Sequence, residues 1–326
     1  MKENPVDQTL TPFDFSQIMD AVPELRKFTG RLDSYTFDPL IDSSDVEPAL
    51  WQELVRLIKE KYDEYDGFVI LHGTDTMSYS ASALSFMLDG LEKPVVFTGS
   101  QLPIGRPRTD GKENLISAVE IASAKDGDGK AMVPEVTIFF DSLLLRGNRT
   151  TKISSENFDA FRSYNLPPLA EAGINIKYNR SLIRQPENPG LKASEELDTR
   201  VSILKLHPGI TPQVVSNIIL GAETRAVIIE TFGSGNAPSK DWFINLLKIA
   251  DGMGKILVNV TQCLEGKVDM DIYATGRKLK DAGVISGWDS TTESMLAKLF
   301  HLMGKYGDNA EVKMHLEENL KGEISK

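Results

Sequence analysis

Cysteine and long apolar runs are nearly absent from the sequence. The single cysteine, Cys263, excludes an intrachain disulfide and fits a protein of a reducing compartment. The first five residues lead into no apolar segment of a secretory signal, and no run approaches the roughly 18 apolar residues of a membrane-spanning helix. We therefore expect a cytoplasmic protein with no membrane partner.

Positive charge is also scarce. The chain has 36 lysines and arginines against 47 aspartates and glutamates, which gives a formal net charge of -11. A basic stripe that would hold phosphate groups is missing, so we expect no nucleic acid and no anionic lipid among the partners.

Signatures of cofactor and metal sites are missing as well. No P-loop and no G-x-S-x-G elbow occur, and residues 233–236 lack the third glycine of a dinucleotide fingerprint. The histidines are far apart and show no zinc-like spacing: His72, His207, His301 and His315. We therefore expect no metal ion, and we find no motif for a bound nucleotide.

Short apolar runs alternate with helix-like segments along most of the chain. Residues 67–71, 94–97 and 136–141 are typical of buried strands, and residues 79–91 and 110–124 have helical spacing of apolar side chains. This alternation predicts an α/β fold built on a parallel sheet.

The composition changes between residues 184 and 200, where proline, glutamate and aspartate accumulate. We interpret this stretch as a linker. It follows an N-terminal domain over 1–183, and the strand–helix alternation resumes in a C-terminal α/β domain over 201–326, in line with the two domains that the length suggests.

Hydroxyl and carboxylate side chains follow the first predicted strand directly, at Thr74, Asp75 and Thr76. In open α/β sheets ligands bind at this end of a strand. Threonine and aspartate are also common helix N-caps, and from the local pattern alone the cap is the favoured interpretation. Ser44 or Asp45 could likewise cap the amphipathic helix that follows.

Lys152 lies in a polar stretch, 146–152, after the third predicted strand. Taken alone it is typical of a solvated surface lysine. A lysine beside a threonine can also take the hydroxyl proton and so activate a nucleophile, and an aspartate such as Asp75 can orient that lysine.

Five short strings of residues, in the same order along the chain, resemble the landmarks of the asparaginase/glutaminase family. Their residues are most similar to those of the cytoplasmic type I bacterial L-asparaginases. The resemblance extends from the first residues to about residue 300. The strings are 42–45 (Asp-Ser-Ser-Asp), 72–77 (His-Gly-Thr-Asp-Thr-Met), 98–101 (Thr-Gly-Ser-Gln), 146–152 (Arg-Gly-Asn-Arg-Thr-Thr-Lys) and 233–238 (Gly-Ser-Gly-Asn-Ala-Pro).

The resemblance implies a two-domain asparaginase-like fold, with a larger N-terminal parallel-sheet domain that carries the active site and a smaller Rossmann-like C-terminal domain. It implies hydrolysis of L-asparagine to L-aspartate and ammonia without a cofactor, by a homodimer or homotetramer. The family's catalytic group falls on Thr74, Lys152 and Asp75.

The resemblance also places the substrate site on this sequence. Asp42, Ser43 and Ser44 line it, with Ser43 at the α-carboxylate, and Thr74 and Asp75 complete it, with Asp75 at the α-ammonium. Donors near Thr74 would stabilise the oxyanion of the reaction.

One family feature is not in this sequence. The family begins with a buried strand that runs into Thr-Gly-Gly-Thr-Ile-Gly, whose second threonine is generally taken as the nucleophile. Residues 1–5 align with the segment directly after that motif. We therefore expect the chain as written to be less stable and impaired as a hydrolase, because a central strand and the acyl acceptor are missing from it.

Two other functions stay open at this point. The chain could be a non-catalytic homologue that binds an acidic amino acid, or the asparaginase-like subunit of a tRNA-dependent amidotransferase. The acidic net charge and the lack of an N-terminal extension argue against the second of these.

Overall fold

The structure is a computed structural model that describes residues 2–3, 10–11, 15–28 and 30–325. The chain forms two compact units, which we describe separately. The first comprises Met1–Leu84, Leu88–Ser163 and Pro167–Ala193, and the second comprises Ser85–Met87, Tyr164–Leu166 and Ser194–Lys326.

The first unit combines short strands with helices in chain order. The helices are α1 Phe15–Ala21, α2 Pro48–Lys61, α3 Met77–Met87, whose last turn falls in the second unit, and α4 Gly111–Ser123. The strands are β1 Lys2–Glu3, β2 Leu10–Thr11, β3 Phe68–Leu71, β4 Leu88–Asp89, β5 Val95–Thr98, β6 Val136–Phe140, β7 Leu143–Arg146, β8 Thr151–Lys152, β9 Phe161–Arg162, β10 Ala170–Ala172, β11 Ile176–Tyr178 and β12 Lys192–Ala193.

A six-stranded sheet organises this unit, in the order β11-β10-β7-β6-β5-β3. Strands β3, β5 and β6 are parallel, as predicted, while β7, β10 and β11 are antiparallel. The change of direction follows from the tight turn after β6, where Asp141 and Ser142 both have positive φ, because a two-residue turn can only return the chain antiparallel. The sheet is therefore mixed rather than wholly parallel.

The helices of this unit bury apolar faces as the spacing predicted. Helix α2 buries Trp51, Leu54, Val55 and Ile58. Helix α3 is buried on nearly every side, because its sequence is rich in alanine, serine and large apolar residues with hardly a charge. It ends at Met87, four residues before the predicted end, where the chain turns into β4.

The predicted linker, 184–200, is not irregular throughout. It contains β12, which pairs antiparallel with β4 through Lys192 and Asp89. Residue 184 is also tied into the first unit, because the Arg184 backbone N–H donates to the buried Glu135 carboxylate at 2.6 Å.

The second unit is a four-stranded parallel sheet in the order β13-β14-β15-β16. Its elements are β13 Val201–Lys205, α5 Pro212–Ile219, β14 Ala226–Thr231, α6 Asp241–Gly252, β15 Ile256–Thr261, α7 Ala274–Asp281, β16 Val284–Ser286, α8 Thr292–Lys305 and α9 Asn309–Leu316.

Alternate residues of these strands face two separate apolar layers. Val227, Ile229 and Leu257 pack with helices α5, α6 and α7, whereas Ile228 and Val258 pack with α8 and α9. Together the two units have the two-domain α/β architecture that the sequence predicted. No helix in the described part of the chain is long and apolar enough to cross a membrane.

Candidate active site

The turn between β3 and α3 carries Thr74, Asp75 and Thr76. Thr76 is the N-cap residue of α3, but its hydroxyl donates to the Ser43 carbonyl oxygen at 2.6 Å and makes no capping bond. Neither Thr74 nor Asp75 makes a capping bond to this helix in the structure; both side chains contact Lys152 instead. The cap interpretation of this turn is therefore wrong.

Lys152 reaches this turn from β8, which pairs antiparallel with β9. Its ammonium group donates to Thr74 Oγ1 at 2.8 Å and to Asp75 Oδ1 at 2.7 Å. The Lys152 side chain is only 18% exposed, so it is not a solvated surface lysine. The structure thus brings together the three residues Thr74, Asp75 and Lys152.

The stretch 146–152 is also less loop-like than predicted. Arg146 closes β7 and Gly147–Arg149 form a 3-10 turn in which all three residues are buried. The backbone that leads to Lys152 is therefore packed within the first unit, which restricts the positions that the lysine side chain can reach.

Asp42, Ser43 and Ser44 lie at a 3-10 turn, Ser43–Asp45, ahead of α2. Asp42 Oδ1 accepts hydrogen bonds from the backbone N–H and the hydroxyl of Ser44, both at 2.8 Å. These two bonds, the backbone bond first, hold the pKa of the Asp42 carboxyl below its usual value. Helix α2 itself begins at Pro48 without a side-chain cap, so the capping role predicted for Ser44 or Asp45 is wrong.

Ser43 is packed against the turn between β3 and α3. Besides the bond from Thr76, its side chain lies so close to Gly73 that a Cβ on that glycine would sit 2.7 Å from Ser43 Cβ. Ser43 is 7% exposed, whereas Asp42 is half-buried and Ser44 is exposed. The glycine is needed here because the two backbone segments approach too closely for any side chain.

A polar chain behind the turn involves His72, to which the sequence assigned no role. The Trp51 indole N–H donates to Ser80 Oγ at 2.9 Å, and Ser80 Oγ is 2.9 Å from His72 Nε2. Because tryptophan only donates, Ser80 donates to Nε2, and Nδ1–H donates to the Gly73 carbonyl oxygen at 2.6 Å. Burial lowers the pKa of His72, so the imidazole stays neutral near pH 7.

Gln101 is the second residue that the sequence did not single out as functional. It follows β5, and Thr74 Oγ1 donates to its Oε1 at 3.2 Å. A signal for it existed, because β3 and β5 are neighbouring parallel strands and their carboxyl ends share one edge of the sheet.

This arrangement supplies a hydroxyl, a lysine able to exchange its proton, and a carboxylate that orients the lysine, beside a turn of serines and an aspartate. That combination serves acyl transfer at an amide or ester. Among the residues that the structure describes, no group of three or more His, Cys, Asp or Glu side chains is placed to hold a metal ion.

The comparison with known proteins identifies the class. Residues 1–184 match the model of the asparaginase N-terminal domain, and residues 200–316 match the glutaminase/asparaginase C-terminal domain. L-asparaginase 1 of Escherichia coli strain K12 is 45% identical over 304 residues, which cover 93% of this chain and 86% of that protein.

Two further relatives span most of the chain. The crystal structure of L-asparaginase I from Vibrio cholerae has a TM-score of 0.87 and 43% identity, and covers 96% of this chain and 92% of its own. A glutamyl-tRNA(Gln) amidotransferase subunit of Methanopyrus kandleri is 33% identical over 327 residues, or 96% of this chain and 69% of that protein.

Fold and site thus define an α/β enzyme of the amidohydrolase class. The chain belongs to the asparaginase family, as the five strings of the sequence predicted.

Proposed function

We propose that the protein hydrolyses the side-chain amide of L-asparagine, giving L-aspartate and ammonia, with Thr74, Lys152 and Asp75 as its catalytic residues. One observation carries the proposal: Lys152 Nζ lies within hydrogen-bond distance of both Thr74 Oγ1 and Asp75 Oδ1. The 45% identity to an L-asparaginase over 93% of the chain supports the substrate.

The chemistry follows from the properties of these groups. Lys152 in its neutral form takes a proton from the hydroxyl of another threonine or from a water molecule held by Thr74, and the activated oxygen attacks the amide carbon. The C–N bond breaks, the leaving nitrogen takes the proton that Lys152 accepted, and ammonia departs. Water supplies the second oxygen of the product carboxylate, and no cofactor is required.

The proposed substrate contacts surround this group. Asp75 is 61% exposed and keeps its second carboxylate oxygen available for the α-ammonium of the substrate. Ser43 receives the α-carboxylate, with Asp42 and Ser44 shaping its turn. The bond from Thr76 and the close packing on Gly73 keep Ser43 at a fixed distance from Thr74.

The test is ammonia release from L-asparagine by the wild-type chain and by Thr74→Ala. We expect the variant to lose about 100-fold or more in kcat, as enzymes do when one stabilising group is removed. Thr199→Ala, an exposed threonine of the second unit, is the matched control and should keep wild-type activity. Full activity of Thr74→Ala would exclude the assignment.

The same experiment decides whether the chain is impaired, which stays a prediction. A wild-type chain that releases no ammonia but binds L-aspartate in a calorimeter would instead be a non-catalytic homologue for acidic amino acids. The absence of both ammonia release and L-aspartate binding by a folded sample would exclude both functions.

A second candidate is favoured by the relative from Methanopyrus kandleri. The chain would then act as the asparaginase-like subunit of a tRNA-dependent amidotransferase. The net charge of -11 disfavours a tRNA partner. Ammonia production that depends on glutamyl-tRNA would support this candidate, and its absence would remove it.

We further propose domains at 1–183 and 201–326 joined by 184–200, which agrees closely with the bounds of the two matching family models. We also propose a homodimer or homotetramer located in the cytoplasm, in keeping with the single cysteine. Light scattering of the purified protein measures the oligomer directly.

A further inference from the structure

The side chain of Gln101 lies between Thr74 and the segment that follows Lys152. Its Nε2 donates to the Asn157 carbonyl oxygen at 3.0 Å and to the Ser154 carbonyl oxygen at 3.3 Å. Its Oε1 accepts from Thr74 Oγ1 at 3.2 Å. One amide therefore joins the carboxyl end of β3 to the segment after β8.

These contacts determine where the hydrogens lie. Both hydrogens of the Gln101 amide are accepted by carbonyl oxygens, so its oxygen must be the atom that faces Thr74. The Thr74 hydroxyl has one hydrogen. Because Lys152 Nζ donates to Thr74 Oγ1, a lone pair of that oxygen faces Lys152, and the hydroxyl hydrogen goes to Gln101 Oε1.

The backbone of Gln101 is held as firmly as its side chain. The Asp110 carboxylate accepts the backbone N–H of Gln101 at 2.9 Å and that of Leu102 at 3.0 Å. Asn114, which is 3% exposed, donates to Asp110 at 3.2 Å and to the Gly99 carbonyl oxygen at 3.0 Å. The first turn of α4 thus fixes the loop after β5.

We propose that Gln101 is a positioning residue, which directs the Thr74 hydroxyl so that Thr74 Oγ1 stays aligned on Lys152, and that Asp110 and Asn114 hold Gln101 in place. The proposal rests on the proposed function, because it concerns the residue through which Lys152 acts. Gln101 needs no contact with the substrate for this role.

The first test compares Gln101→Met in two backgrounds. In the background that keeps Thr74, we expect Gln101→Met to lower kcat about tenfold, the size expected for one lost hydrogen bond. We expect KM to stay within about threefold of the wild-type value. In the Thr74→Ser background we expect the same change to cost clearly more. Threonine is restricted at χ1 by its γ-methyl group, whereas a serine hydroxyl is oriented only by its hydrogen bonds.

This comparison separates positioning from a structural role. If Gln101 only stabilised the loop, Gln101→Met would reduce kcat by the same factor in both backgrounds, and that result would overturn the proposal. A change confined to KM would also overturn it, because it would make Gln101 a substrate contact. Gln213→Met, on the exposed face of α5, is the control and should change neither constant.

A second measurement keeps the inference testable without catalysis. In a crystal structure of Gln101→Met we expect the Thr74 Oγ1 to Lys152 Nζ distance to lengthen beyond hydrogen-bond range, and an unchanged 2.8 Å would overturn the proposal. If the wild-type chain releases no ammonia, the proposed function fails, and this distance alone decides the role of Gln101.

Discussion

Lys152 Nζ lies 2.7 Å from Asp75 Oδ1, yet the lysine side chain is 18% exposed and the aspartate side chain 61% exposed. The pair is therefore asymmetric. The lysine is enclosed and aimed at Thr74, whereas the carboxylate that orients it opens toward solvent. Because the carboxylate of the pair is mostly exposed to solvent, we expect the pair to contribute little to stability.

Two substitutions of Lys152 distinguish the effect of its positive charge from the effect of its ability to accept a proton. Lys152→Met and Lys152→Arg should both lower kcat by about 100-fold or more, because arginine keeps the positive charge but stays protonated at every accessible pH. Steady-state ammonia release measures the effect. Substantial activity in Lys152→Arg would show that only the charge matters, and Lys248→Met, at an exposed lysine, is the control.

Gly73→Ala tests the close approach of the two site turns. The new Cβ would lie 2.7 Å from Ser43 Cβ, so Ser43 must move, and we expect KM for L-asparagine to rise about tenfold. Gly127→Ala is the matched control, because a Cβ there meets nothing within 4 Å. An unchanged KM in Gly73→Ala would contradict the contact between Ser43 and the substrate.

The sequence predicted the alternation of strands and helices well, because buried strands such as β5 and β6 are continuous apolar runs. The sequence did not predict the roles of side chains whose hydrogen-bond partners are distant in sequence. Thr74 and Thr76 have the residue types of a helix cap, and only the positions of Lys152 and Ser43, which are distant in sequence, draw them away from that role.

Gln101 and α9 were missed for related reasons. The amide of Gln101 donates to carbonyl oxygens more than fifty residues away, and no local pattern contains those contacts. Helix α9 has charged residues on several sides and buries mainly Val312 and Leu316, so its apolar periodicity is too weak to predict a helix.

The end of the second unit depends on a buried ion pair. Lys298 Nζ lies 2.7 Å from Glu323 Oε1, and both side chains are fully buried. Lys298 also donates to the Leu316 and Glu318 carbonyl oxygens, while Glu323 accepts the backbone N–H groups of Leu320 and Lys321. The pair therefore holds the segment after α9 against helix α8, which carries Lys298.

Lys298→Met should lower the free energy of unfolding by about 3–5 kcal/mol, because it leaves the Glu323 charge buried without its partner. The double variant Lys298→Met, Glu323→Gln should recover part of that loss, since it removes the charge as well. Urea unfolding of the wild type, both single variants and the double variant measures these values. A double variant whose loss equals the sum of the two single losses would contradict the coupling.

Asp198 should make the stability of the second unit depend on pH. Its carboxylate accepts hydrogen bonds from Arg200 at 2.6 Å and from Arg225 at 3.0 Å, and these bonds, those of Arg200 first, hold the pKa of Asp198 far below its usual value. The unfolded chain has an ordinary aspartate pKa of about 3.9, so it binds the proton more readily than the folded chain. The stabilisation is therefore complete above about pH 4 and is lost as the pH falls further.

Asp198→Asn removes this dependence, because asparagine is neutral at every pH. At pH 7 we expect the variant to be less stable than the wild type by about 3 kcal/mol, since two arginines lose a largely buried partner. The difference should shrink as the pH falls below 4, because Asp198 of the unfolded wild-type chain then takes up a proton that the folded chain does not, which lowers the stability of the wild type alone. Urea unfolding at pH 7 and at pH 3 measures both differences, with Asp281→Asn, at an exposed aspartate, as the control. A difference that is equal at both pH values would show that Asp198 stabilises the unit through packing rather than through its charge.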